Sequence, residues 1–86
     1  MRVALEKPQF VPCCHRHHVY GGSRRKWSEK YNAVIYLPPY LHNMSNEGIH
    51  FNKRFRLSVQ ERYQRMFEDA GWTREEFIET FGRSYL

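Results

Sequence analysis

Two stretches decide how this chain is read: His17-His18-Val19-Tyr20-Gly21-Gly22, and Asn32-Ala33-Val34-Ile35-Tyr36-Leu37-Pro38-Pro39-Tyr40-Leu41-His42. The β-branched and aromatic run 32–37 predicts a strand, and Pro38-Pro39 stops it because proline offers no N–H to a ladder. A weaker strand is expected over His15–Tyr20, ending at Gly21-Gly22. Between the two, Ser23-Arg24-Arg25-Lys26-Trp27-Ser28-Glu29-Lys30 reads as a basic loop. After the prolines, Tyr40 to Asn46 reads as a short helix that Gly48 interrupts. The resulting order is a strand bearing His-His, a basic loop, a strand, and a helical segment carrying His42, Asn43, Asn46 and, beyond Gly48, His50.

Working outward, residues 52–86 are helical in pattern. Ser58 and Glu61 have capping-box spacing, so a helix is expected to open there. Val59, Tyr63, Met66, Phe67 and Ala70 then fall on one face, and Gly71 suits the position that ends it. Thr73 and Glu76 form a second capping box, with Trp72 and Phe77 placed as a hydrophobic staple. Phe77, Ile78 and Phe81 make that helix's apolar face, and Gly82 closes it. These aromatics read as core or as a subunit interface, and a homodimer is compatible with them. The expectation is one α+β domain over residues 1–86, with a strand-and-helix core at 13–52 and C-terminal helices at 53–86.

The chain has 86 residues, 41% hydrophobic and 16% aromatic, enough for a folded domain. At this size the core is small, and a metal or partner often supports it. No apolar run approaches the roughly 20 residues of a membrane span, and the N-terminus lacks the apolar stretch of a secretion signal. A cytoplasmic protein is therefore expected. Cys13 and Cys14 are adjacent and form no disulfide framework; they read as free thiols or metal ligands. The net charge of +5 is unevenly spread: residues 1–60 hold ten Lys/Arg against three Asp/Glu, residues 61–86 four against six. All five histidines lie in the basic part, which suits polyanion binding.

The residues His17 to Gly22, then Arg25-Lys26 and Ser28-Glu29-Lys30-Tyr31, then His42-Asn43-Met44-Ser45-Asn46-Glu47-Gly48-Ile49-His50-Phe51-Asn52, resemble a group of small HNH endonuclease-like proteins encoded by phages and prophages. Arg74-Glu75-Glu76-Phe77 and Phe81-Gly82-Arg83-Ser84-Tyr85-Leu86 resemble the tail of the same group. The likeness covers roughly residues 13–86. It implies a ββα-metal core in a bacterial host cell and one divalent cation (Mg, Mn, Ni or Zn). By the same resemblance, His18 would be the general base that activates water. His17 and His42 would be metal ligands, with Asn46 or His50 completing the set. Histidine suits the base because it titrates near neutral pH. Asn46 lies four residues after His42, on the same face of a helix. His50 cannot be placed by periodicity. His15 reads as a half-buried polar residue.

DNA is the implied partner. Arg24, Arg25, Lys26 and Trp27, with Lys30, combine positive charge with an aromatic that can stack on a base, and Lys53, Arg54 and Arg56 form a second basic cluster. The chain departs from the group in one respect. Its members usually carry Cys-x-x-Cys before the His-His pair, and Cys-Pro-x-His-His or a similar string later, which together make a structural zinc site. Here Pro38 and Leu41 stand at two of those positions, and the cysteines are not spaced. A structural zinc is therefore not expected, and packing around Tyr36, Tyr40 and Leu41 is expected instead. That departure keeps a rival reading open: a catalytically inactive HNH-fold protein that binds DNA or inhibits a partner protein.

Overall fold

The computed structural model describes residues 2–42 and 48–86. Its sheet has two strands, β1 (His15–His18) and β2 (Val34–Leu37), paired antiparallel with His15 opposite Leu37, Arg16 opposite Tyr36, His17 opposite Ile35 and His18 opposite Val34. One further bond, from Val19 N to Ala33 O at 2.9 Å, continues the pairing. The fold is α+β: this small sheet, short helices beside it, and a C-terminal helix pair.

The connection between the strands is more ordered than a loop. A single 3-10 turn at Gly22–Arg24 leads into helix α1 (Arg25–Tyr31). Its pivot is Ser28, fully buried, whose Oγ donates to Tyr20 O at 2.8 Å and accepts from Tyr20 N at 3.1 Å. The helix ends at Asn32, in the left-handed conformation that asparagine tolerates better than most residues (φ 63°). Asn32 is thus a cap, and β2 starts two residues later than expected. Trp27 and Tyr31, four apart and stacked at 6.5 Å, are the sequence signal of this helix. Seven residues are too few for a convincing periodic stripe.

Helix α2 (Pro39–His42) opens on a proline, whose fixed φ and missing N–H suit the first helical position. The expected extension to Asn46 lies outside the described residues. Leu41 packs against the core and Tyr36 meets Phe10 edge-on, but Tyr40 is 57% exposed and fills no core space.

Helix α3 spans Lys53–Asp69 and starts five residues before the expected cap at Ser58. Asn52 is the N-cap, its side chain accepting from Phe55 N at 3.0 Å. Ser58 lies inside the helix, its hydroxyl donating back to Phe55 O at 2.8 Å. The buried stripe also differs. Val59 and Phe67 face inward as expected, but Met66 and Ala70 are exposed and Gln64 is fully buried in their place. Gln64 is tolerated because it is saturated: it donates to Glu68 and Ser84 and accepts from Tyr85 N at 2.6 Å. Helix α4 (Arg74–Phe81) has the expected Thr73/Glu76 capping box and ends at Gly82 with φ 93°. Ile78 points outward and Thr80 inward, against expectation, with the Thr80 hydroxyl donating to Glu76 O.

The core joins the two halves. Phe67, Trp72, Phe77 and Phe81 form an aromatic platform on which Tyr20 lies, its ring 4.4 Å from Phe81. Tyr20 Oη donates to Gln60 O, and Gln60 Nε2 donates to Val19 O, so the end of β1 is tied to α3. The N-terminal segment straps the other side through Trp72 Nε1 donating to Val3 O and Leu5 N donating to Tyr31 O. Among the described residues no helix is long and apolar enough to cross a membrane.

The cap assignment is directly testable. In urea unfolding, Asn52→Ala is expected to cost about 1 kcal/mol, and Ser58→Ala less than about 0.5 kcal/mol. The reverse order would mean that α3 begins at Ser58.

Candidate metal centre

Side chains alternate along a strand, so β1 sends His15 and His17 to one face and Arg16 and His18 to the other. His17, only 9% exposed, meets His42 from the end of α2 and His50 from the turn before α3, with ring centroids 5.2 and 5.0 Å away. His42 and His50 lie 4.5 Å apart by centroid, and their Nε2 atoms 2.9 Å. His50 reaches His42 because the backbone folds back: Ile49 N donates to Leu41 O and His50 N to His42 O, with Ile49 buried as the anchor.

One nitrogen from each of His17, His42 and His50 falls within 4.8 Å of the others, close enough to hold a metal ion. Imidazole nitrogens bind such ions at about 2.0–2.1 Å, which sets two of them roughly 3 Å apart on one ion. The His42–His50 separation fits that spacing. Metal ligands must be deprotonated, and the surroundings of His17 and His42 favour that form. Burial, then the neighbouring His50, His42 and His18, lowers the His17 pKa to about 4. His42 is also lowered, by burial first and then by His50 and His15.

On the other face of β1, His18 Nε2 lies 2.7 Å from Glu29 Oε2. Glu29, on α1, also receives a two-pronged bond from Arg16, both arms at 2.6 Å. The Arg16 guanidinium, followed by His18, holds the Glu29 carboxyl down to about 2, so it is ionised at neutral pH. Although His17 and His18 face opposite ways, His18 closes the strand and reaches the same cleft. That cleft, about 230 Å³, is lined by Arg16, His17, His18, Gly21, Gly22, Arg25, His42 and His50.

The expected site residues are therefore distributed as follows. His17, His18, His42 and His50 converge, and Asn46 lies outside the described residues. His15, not expected in the site, stands with its Nδ1 2.9 Å from His42 Nδ1. Its spacing of two from His17 on a strand is the signal that points to it. Glu29 and Arg16 have no such signal, since their meeting depends on how α1 lies against the sheet. The described group able to hold an ion contains no thiol, and Cys13 and Cys14 are free.

The basic residues separate in role. Arg25 lines the cleft, whereas Arg24 is turned away and donates to Thr80 O at 3.2 Å near the end of α4. Lys26 and Lys30 sit over the Trp27 ring at 5.0 and 5.5 Å, and Trp27 packs partly on the core. Lys53 and Arg54 border a separate groove on α3 with Leu57, Ser58 and Glu61. Comparison with family models, curated proteins and solved structures found no match.

Added Zn²⁺ or Ni²⁺ should raise the melting temperature. At 100 times Kd the linkage is about 2.7 kcal/mol, on the order of 10 °C or more for a domain of this size. His17→Ala, His42→Ala and His50→Ala should each remove the shift, while His18→Ala and Cys13→Ser/Cys14→Ser keep it. A shift that survives the three His variants and disappears with the cysteines would place the ion elsewhere.

Proposed function

We propose that this protein is a metal-dependent endonuclease of the HNH type that hydrolyses DNA phosphodiester bonds, in keeping with the phage and prophage proteins its sequence resembles. The observation that carries the reading is the position of His18. A histidine oriented by a carboxylate borders the same cleft as a three-imidazole metal cluster. Water activation and phosphate neutralisation need those two elements side by side.

In this reading His17, His42 and His50 would hold a divalent cation, which would supply positive charge at the scissile phosphate and its leaving oxygen. Imidazole donors suit Zn and Ni better than Mg. The other tasks belong to the chain. Glu29, kept ionised by Arg16, accepts a hydrogen bond from His18 Nε2–H. That leaves the His18 lone pair on Nδ1, which in this reading takes the proton from the attacking water. Arg25 adds a cation at the rim of the cleft to hold the DNA backbone, a contact that positions without reading sequence. The chain's overall charge of +5 favours the same polyanion.

The test is nicking of supercoiled plasmid by the purified protein with Zn, Ni, Mn or Mg. His18→Ala is expected to lower the rate by about 100-fold or more while keeping the metal-induced thermal shift, because a base is not a ligand. His42→Ala should lose both. If wild type cuts nothing with any of these ions yet binds DNA, the protein is an inactive HNH-fold binder. If His18→Ala cuts as fast as wild type, His18 is not the base.

A further inference from the structure

A neutral imidazole has one N–H and one lone pair, and which nitrogen carries which is set by its neighbours. His42 has a neighbour at each nitrogen: His50 Nε2 lies 2.9 Å from its Nε2, and His15 Nδ1 lies 2.9 Å from its Nδ1. Only one tautomer of His42 lets it serve the metal cluster through Nε2. Its proton must then sit on Nδ1, and something must accept it there. In the other tautomer Nε2–H points at His50 and its lone pair is turned away.

We infer that His15 is a positioning residue for the metal centre: His15 Nδ1 accepts the hydrogen bond from His42 Nδ1–H and so presents the His42 Nε2 lone pair to the ion. The inference rests on the three-histidine cluster as a metal site. It does not depend on the nuclease reading. The fold holds His15 in place. It is the first residue of β1, fixed by its pairing with Leu37, and its ring stands edge-on to His42 at 88° and 4.9 Å. Strand alternation gives one short strand both tasks, a ligand at His17 and the partner of a ligand at His15. Partners of this outer kind fix ring orientation and tautomer, and their removal typically weakens metal binding by about 10–100-fold.

Zn²⁺ affinity of the full chain, measured by competition with a chromophoric chelator, reads the effect. His15→Ala is expected to weaken binding by about 10–100-fold. His15→Gln, whose amide oxygen can accept the same N–H, is expected to recover most of that loss. Long-range ¹H–¹⁵N spectra of the metal-free wild type should show His42 as the Nδ1–H tautomer, and those of His15→Ala a mixture. Unchanged affinity in His15→Ala, or an Nε2–H tautomer for His42 in wild type, would overturn the inference. If His15→Ala loses its helical circular dichroism, His15→Gln decides alone. Affinity near wild type supports the positioning role, and a loss as deep as that of His42→Ala overturns it. None of these readouts needs DNA cleavage. A protein that binds zinc in this His15-dependent way and never cuts DNA keeps this inference and loses the nuclease reading. A wild type that binds no zinc overturns the inference directly.

Discussion

Ile49 N donates to Leu41 O at 2.6 Å, and its side chain is 1% exposed in the core. The next residue repeats the bond, His50 N to His42 O. These two backbone bonds depend on burying one isoleucine, and they make neighbours of two histidines eight positions apart. The third histidine arrives from β1, whose register against β2 sets which residues face the cluster. If Ile49 left the core, His50 would lose its place beside His42, and the three-histidine group would be reduced to two.

The helices supply the rigidity that such a site requires. Tyr20, just past β1, is held between the aromatic platform of α3 and α4 and the buried Ser28 of α1. Burial pushes its phenol pKa up, and its hydroxyl is bound to Gln60 O. The strand carrying His15, His17 and His18 is therefore anchored at the end nearest the cleft. Imidazoles held by a packed strand need little rearrangement to meet an ion. By contrast His50 is exposed, which leaves the cluster an open side toward solvent.

Much of this was legible because short-range rules govern it. The strand at Val34–Leu37 follows from β-branched residues and a proline stop, and α4 from a capping box that forms as its spacing predicts. His17, His18 and His42 were legible only through their likeness to a known motif. What stayed hidden is non-local. Nothing in the spacing of Glu29 and His18 says they touch, since that depends on α1 packing with Ser28 inward. Ser58 and Glu61 mimic a helix start, but Asn52 caps first and lets Phe55 join the packed face. Gln64 replaces Met66 in the interior because the C-terminal segment returns to satisfy its amide, and periodicity cannot report a partner 21 residues away. His15 was legible in principle, as the other same-face histidine of a four-residue strand.

His17, His42 and His50 form a three-imidazole group close enough to hold an ion, while Cys13 and Cys14 are free thiols outside it. X-ray absorption at the metal edge of the zinc-loaded protein distinguishes imidazole from thiolate ligation. The expected first shell is nitrogen and oxygen at about 2.0–2.1 Å, with the multiple-scattering pattern of three imidazoles. A sulfur scatterer at about 2.3 Å, from Cys13 or Cys14, would contradict imidazole ligation.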